Sequence, residues 1–342
     1  MTSASLDLRP VGDTGMKVSS LGFGLMTFGD GGGDFDAVGA NSGADAQRQI
    51  DIALDYGVNF FDTSDNYSGG RSEEILGETL GGNRKRVVVA TKVFGRTGPG
   101  EFDIGLSAKH IIDACDASLR RLKTDYIDLY QAHNFDGLTS QEETLDAFDS
   151  LVRTGKVRHI GCSNHYAWQL TAGRCMSALK RLSPYVSQQI LYSLLHRDAE
   201  WELLPAAISQ NVATLVYSPL AQGYLSGKFA IEPEAEGRLT ATKRLVKIDD
   251  ERARRIVGVL QEIAMARPGA SVAQAALNWL RARPGVTSVI VGARTSDQLQ
   301  NNLSAARWSL TSEEVAMLDT ASRTPAPYPR TAHKSFHPER NP

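Results

Sequence analysis

Apolar strands alternating with amphipathic helices, eight of each and joined by short glycine-marked turns, predict an α/β fold closed as a (β/α)8 TIM barrel, with an N-terminal β-hairpin and two extra helices. The alternation implies a parallel sheet. Eight units in 342 residues favour closure over an open doubly wound sheet. Length alone admits one large barrel or two ordinary domains, and the repeat favours a single barrel over residues 1–324 followed by a tail over 325–342.

The chain opens with Leu8 to Val11 and Met16 to Ser20, a hairpin around Gly12-Asp13-Thr14-Gly15 whose glycines supply the positive φ of a tight turn. Leu21-Gly22-Phe23-Gly24-Leu25-Met26 is the first barrel strand, and glycines at Gly22 and Gly24 let a ligand approach the backbone. Asp30-Gly31-Gly32-Gly33-Asp34 reads as a flexible loop; no GK[ST] follows, so it is not a P-loop. Ile50, Ala53, Leu54 and Tyr56 mark a helix over 44–56, Gly57 ends it, and Val58 to Phe61 is the second strand. A helix from Ser72 to Leu80, closed by Gly81-Gly82, leads to the strand Val87 to Lys92. Ile111, Ile112, Cys115, Leu119 and Leu122 share one face of a helix beginning at Ser107, before the strand Tyr126 to Ala132. Helix 140–153 stops at Gly155 and the strand Val157 to Cys162 follows. The pattern repeats as Tyr166 to Leu182 with Pro184 to Gln189, and as Trp201 to Ser209 with Val212 to Tyr217. Helix 271–282, strand Val286 to Val291 and a helix over 295–305 complete it. Helices over 249–266 and 311–321 stand outside the repeat, and Pro325 to Pro342 reads as a surface or disordered tail.

Composition narrows the function classes. An apolar share of 42% supports a substantial core, and a formal net charge of -2 leaves no electrostatic footprint for nucleic acid or an anionic membrane. Small molecules are the expected partners. Cys115, Cys162 and Cys175 are odd in number and lack a CxxC, which argues against a disulfide framework or a zinc cluster and fits a reduced cytoplasm. Met1 to Asp7 lacks a basic segment followed by an apolar one, and no uncharged run of about 18 apolar residues occurs, so neither a leader nor a membrane span is expected.

Three strands end on chemistry. Val58, Phe60 and Phe61 stop at Asp62 with Tyr67 a short polar loop later; the next strand delivers Lys92, and the one after it delivers His133. Singly, each residue reads as a cap or a solvated rim group; jointly they collect where parallel strands carry their ligands and chemistry. One His beside one Asp, without HxH or paired-carboxylate spacing, argues against a metal. His110, His159, His165 and His196 read as surface or loop residues, with His165 at the border of a substrate pocket.

In order and spacing Asp62, Tyr67, Lys92 and His133 resemble the tetrad of the aldo-keto reductases, and the resemblance runs from about Arg9 to Thr320. Both extra helices match ones that this family adds to the barrel. The resemblance implies a nicotinamide cofactor, yet no GxGxxG follows any strand, so the dinucleotide is expected on barrel loops rather than on a Rossmann half-domain. It assigns Ser163, Asn164 and Gln189 to the nicotinamide carboxamide and Tyr217 to stacking on the ring, with Gly24, Leu25, Met26 and Asp62 alongside. Ser218, Pro219, Leu220, Gln222, Gly223, Ser226 and Lys228 lie in a loop of small residues whose N–H groups can face a pyrophosphate. A helix beginning near Thr295 offers further N–H groups, Arg294 is a cationic fork for the 2′-phosphate of NADP(H), and Gly292, Gln298, Asn301 and Asn302 complete the set. Some members carry a Lys at Gly292 and an Arg at Gln298, so preference for NADP(H) over the alternative NAD(H) rests mostly on Arg294.

The implied reaction is hydride transfer between nicotinamide and a carbonyl or alcohol. Tyr67 is its general acid/base, Lys92 eases release of the phenolic proton, Asp62 holds Lys92, and His133 orients the substrate oxygen. Loops 30–43, 94–106 and 229–248 are expected to shape the substrate pocket. The family also includes potassium-channel β subunits, so a cofactor-binding, redox-sensing interaction protein with little turnover is the second reading.

Overall fold

Inward-facing positions of the barrel alternate with positions that face the helices, and this period of two is what sets the site. In the computed structural model, which describes residues 6–29, 41–228 and 249–335, β1 (Leu8–Pro10) and β2 (Lys17–Ser19) form the hairpin. Then β3 (Leu21–Gly24), β4 (Phe60–Asp62), β5 (Val88–Val93), β6 (Ile127–Ala132), β7 (Val157–Ser163), β8 (Tyr185–Leu191), β9 (Ala213–Tyr217) and β10 (Val286–Val291) pair in chain order. Every pairing is parallel, and β10 returns to β3 with Val291 opposite Phe23, so the ring leaves no open edge.

Phe60, Ala90, Leu129, Leu215 and Ile290 pack as an inner cluster, whereas Phe61, Val89, Tyr130 and Val289 belong to the larger core beneath the helices. Two residues further along the inner face of β4, β5 and β6 come Asp62, Lys92 and Gln131. The hairpin closes the opposite end: Val11 and Val18 join the inner cluster, and Ser19 N–H bonds the Asn59 side chain just ahead of β4. Gly12 (φ 53°) and Gly15 (φ 74°) take the left-handed conformations expected of its turn. Arg9 donates to the Val286 carbonyl and Arg281 pairs with Asp7, which ties the hairpin to the end of the chain.

Around the ring run α1 (Gly43–Asp55), α2 (Arg71–Leu80), α3 (Ala108–Arg121), α4 (Gln141–Arg153), α5 (Ala167–Lys180) and α6 (Leu203–Ser209). After α7 (Asp250–Met265) come α8 (Val272–Arg281) and α9 (Ser296–Leu303), then α10 (Ser312–Ala321) and α11 (Arg330–Ser335). The extra helices α7 and α10 pack on each other, and α7 also on α8. Trp279 of α8 is fully buried and donates to Asp319 of α10, with Arg197 and Arg283 against its ring.

Five helix starts differ from expectation for one reason. Ser107, Ser140, Ser271, Thr295 and Thr311 are N-caps rather than first helical residues, their hydroxyls accepting from the N–H three residues on. Helix six begins at Leu203 rather than Trp201, the backbone of Glu202 (φ -136°) separating it from a 3₁₀ turn over Asp198–Glu200. The strand read as Leu21 to Met26 ends at Gly24, and the tail carries the short helix α11. Loop 30–40, segment 229–248 and the last seven residues, 336–342, lie outside the described residues. Among the described residues no helix is long and apolar enough to cross a membrane, and the three cysteines form no disulfide.

Candidate active site

Lys92 is completely buried, and each of its three ammonium protons has an acceptor: Asp62 Oδ2 at 2.6 Å, the Thr63 carbonyl at 2.7 Å and the Tyr67 hydroxyl at 3.3 Å. Asp62 Oδ1 accepts from Gln189 Nε2 at 2.8 Å and Gln131 Nε2 at 3.3 Å, so both carboxylate oxygens are satisfied. Burial works to strip Lys92 of its proton, but the charges and hydrogen bonds of Asp62 and Tyr67 outweigh it and hold the ammonium above its usual range.

Tyr67 opens the 3₁₀ turn Tyr67–Gly70, in which Ser68 (φ 48°), Gly69 (φ 62°) and Gly70 (φ 94°) are all left-handed. Such conformations cost roughly 1–3 kcal/mol each for residues with side chains, and they put the phenol edge-on to His133 with ring centroids 5.7 Å apart. The turn is wedged from outside. A Cβ on Gly70 would lie 2.9 Å from the Arg121 side chain, and Arg121 is itself paired with the buried Glu73 at 2.7 Å.

His133 follows β6 directly. Its N–H bonds the Val93 carbonyl, its carbonyl accepts from Asn164 Nδ2 at 3.1 Å, and its ring Nδ1 lies 3.1 Å from Ser64 Oγ. Burial, reinforced by the Lys92 charge, pushes the imidazole pKa down to about 3, so the ring is neutral at ordinary pH.

A cavity of about 540 Å³ opens above these groups, within the range of small-molecule sites. Asp62, Tyr67 and His133 line one part, with Gly24, Leu25, Met26, Ser163, Asn164, Gln189 and Tyr217. Ser218, Pro219, Leu220, Gln222, Gly223, Ser226, Lys228, Gly292, Arg294, Gln298, Asn301 and Asn302 continue the wall. Two expected residues are not on it. Lys92 lies behind, bonded to the Tyr67 hydroxyl, and the exposed Thr295 caps α9, its hydroxyl accepting from Gln298 N–H. Thr27, Ser271, Ala273, Ile290, Val291 and Ala293 line the cavity without having been anticipated. Period-two spacing could have found Ile290, which shares a strand face with Gly292, and Gln131, which follows Leu129 on the inner face.

Beyond β9 the backbone turns left-handed at Ser218 (φ 49°), Ala221 (φ 48°), Gln222 (φ 58°) and Gly223 (φ 100°), and the N–H groups of Ala221 and Gly223 donate to the Ser218 and Leu220 carbonyls. Tyr217 donates to Asn164 Oδ1 at 2.9 Å, linking the ends of β9 and β7. Arg294 is exposed at the other end, its backbone held by Gln298 Oε1, and its guanidinium forms no ion pair among the described residues. Asn301 bonds Ser271 and so ties α9 to α8, while Asn302 reaches the Gly292 carbonyl.

The histidines correct one expectation. Read as surface or loop residues, His165 and His196 do lie in loops but are buried, His110 is buried on α3, and His159 is half-buried on β7. Burial lowers the pKa of each. His165 packs edge-on against Phe135 and Tyr185, behind Asn164. Among the described residues no group of three or more His, Cys, Asp or Glu is placed to hold a metal ion.

A closed parallel barrel with a buried Lys–Asp pair beneath a tyrosine and a neutral histidine defines a class. The sequence profile of the Aldo/keto reductase family matches residues 20–323, and the chain belongs to that family of oxidoreductases. It is 36% identical over 321 residues to the uncharacterized oxidoreductase YrpG of Bacillus subtilis (strain 168), covering 90% of this chain and 94% of that one. A probable voltage-gated potassium channel subunit beta of Arabidopsis thaliana is 36% identical over 316 residues, covering 88% and 91%. The versiconal hemiacetal acetate reductase of Aspergillus parasiticus is 30% identical over 338 residues, covering 92% and 96%.

Proposed function

We propose that the chain is an NADP(H)-dependent reductase of carbonyl compounds, with Tyr67 as general acid in reduction and general base in the reverse direction. The observation that carries this reading is the Lys92 ammonium, whose three protons go to Asp62, Thr63 and the Tyr67 hydroxyl. A phenol ordinarily keeps its proton to a pKa of about 10. An ammonium donating to its oxygen stabilises the phenolate and so eases proton release toward a substrate oxygen. Asp62 keeps Lys92 charged and aimed, and Gln131 and Gln189 keep Asp62 in place. His133, neutral, donates to the same substrate oxygen without adding a charge beside Lys92.

The residues present fit a nicotinamide dinucleotide. When bound, it supplies or accepts the hydride. Ser163, Asn164 and the Oε1 of Gln189 would hold the carboxamide, and Tyr217 would stack on the ring. The loop from Ser218 to Gly223 would receive the pyrophosphate through N–H groups other than those of Ala221 and Gly223, which donate to the Ser218 and Leu220 carbonyls. Arg294, exposed and without an ion-pair partner among the described residues, would meet a 2′-phosphate.

Single-turnover reduction of a small aldehyde by saturating NADPH tests the reading. Tyr67→Phe keeps the ring and removes the hydroxyl, so reduction should fall by roughly 10²- to 10⁴-fold with cofactor affinity unchanged. A rate within threefold of the parent would end the assignment. A second reading, a cofactor-binding interaction subunit with little turnover, is favoured by the potassium-channel-β relatives from Arabidopsis and from rice. Tight NADPH binding with no turnover across a panel of aldehydes and ketones would support that reading instead.

A further inference from the structure

A neutral imidazole carries one N–H, and which nitrogen holds it decides whether the ring donates to a substrate oxygen or repels it. His133 lines the cavity with Nδ1 turned to Ser64, a fully buried residue whose Oγ lies 3.1 Å away. We infer that Ser64 is a positioning residue that sets the tautomer of His133: its hydroxyl donates to Nδ1 and keeps the ring proton on Nε2, available to the cavity. The inference rests on the reading of His133 as a donor to the substrate oxygen.

Ser64 has one proton and four acceptors in reach: Asn66 Oδ1 at 2.8 Å, His133 Nδ1 at 3.1 Å, Asp65 Oδ1 at 3.2 Å and the Lys92 carbonyl at 3.5 Å. The carbonyl is the most distant and already accepts from Asp65 N–H at 3.2 Å. Asp65 is buried beside Glu73, and burial followed by that neighbouring charge pushes its pKa up to about 8, so at neutral pH it keeps its proton and is a poor acceptor. As it stands, Asn66 Oδ1 accepts from Ser64 at 2.8 Å; we take this planar amide turned over, which exchanges its oxygen and NH₂ in the same space, so that the NH₂ donates into the hydroxyl oxygen. The chain then runs one way, from Asn66 to Ser64 to His133 Nδ1. The opposite direction would leave a bare Nε2 lone pair facing the oxygen on which negative charge develops. The charged and titratable groups around the ring are Lys92, which opposes a second ring proton, Tyr67 edge-on, and Asp65 behind Ser64.

The test uses the full chain saturated with NADPH and labelled with ¹⁵N-histidine, His133→Gln identifying the resonances. At pH 7 the parent should show an unprotonated, hydrogen-bonded Nδ1 and a protonated Nε2. Ser64→Ala should spread the proton over both nitrogens and lower kcat for aldehyde reduction about three- to ten-fold, the share of one hydrogen bond, with KM and NADPH affinity little changed. Ser64→Thr, which keeps a hydroxyl, should restore both signals. A proton on Nδ1 in the parent overturns the inference, and so does a Ser64→Ala protein with the parent's tautomer. If Ser64→Ala does not fold, the parent spectrum still decides. An Nε2–H ring in a protein that reduces no carbonyl would end the proposed function while leaving the Ser64 assignment standing.

Discussion

Lys92 and Asp65 show two ways of burying an ionisable group in one barrel wall. Lys92 is fully paired, so removing it strands Asp62: Lys92→Met should slow single-turnover reduction as far as Tyr67→Phe does, roughly 10²- to 10⁴-fold, and should cost about 3–5 kcal/mol of stability at neutral pH. Near-parental turnover in that variant would separate Lys92 from the proton transfer. Asp65 Oδ2 has no hydrogen-bond partner among the described residues, and burial followed by the Glu73 charge raises its carboxyl pKa to about 8, against 3.8 when unfolded. Between those values the folded chain binds more protons than the unfolded one, so this group's contribution is complete below about pH 4 and declines as pH rises toward 8. Asp65→Asn, always neutral, should flatten the decline in urea-unfolding free energy over that window. An unchanged slope would show that Asp65 is ionised in the fold. His133 acts in the opposite sense, its pKa falling from 6.5 to about 3, so it favours folding above pH 6.5 and loses that contribution as pH falls toward 3.

Two short elements fix the geometry. The left-handed turn after Tyr67 has room for no side chain at Gly70, where φ is 94° and Arg121 fills the space a Cβ would need. Gly70→Ala should therefore destabilise the fold by about 1–3 kcal/mol and slow reduction while leaving NADPH affinity near the parent's. Full activity in a stable Gly70→Ala protein would mean that the turn does not place Tyr67. At the far end, the β10-to-α9 joint presents Arg294; Arg294→Ala should cost most of the preference for NADPH over NADH in fluorescence titrations, and equal affinities in the parent would remove Arg294 from that role. These joints also mark how far the sequence could be read. Strand and helix alternation was legible because each unit is local and its apolar spacing regular. The serine and threonine caps shifted helix starts by one residue, since an N-cap and a first helical residue differ only in where the hydroxyl points. The turns Tyr67–Gly70 and Gly81–Arg86 escaped because runs of four and six residues carry too little periodicity to read.

At the scale of the whole barrel, closure joins what the sequence separates. Asp62, Tyr67, Lys92 and His133 could be picked out because they stand at or just past three strand ends, whereas Gln131 and Ser64 look ordinary until the ring brings them to Asp62 and His133. Gln189 meets Asp62 across 127 residues. The buried histidines were misjudged for the same reason, as His165 and His196 in loops and His110 on α3 become interior only in the assembled barrel. The proposed proton transfer uses no ion, so exhaustive chelation should leave aldehyde reduction intact; activity lost while far-UV circular dichroism persists would contradict the proposal. The pairing of Val289, Ile290 and Val291 with Leu21, Gly22 and Phe23 also has a meaning for biosynthesis. The first barrel strand gains its last neighbour only when almost the whole chain has left the ribosome, which at 5–20 residues per second is a delay of roughly 15–60 s. Throughout that interval one flank of Leu21–Gly24 offers unpaired N–H and C=O groups to any passing strand. Nascent chains stalled before Val286 should therefore be captured by chaperones or aggregate, and chains released past Val291 should escape both.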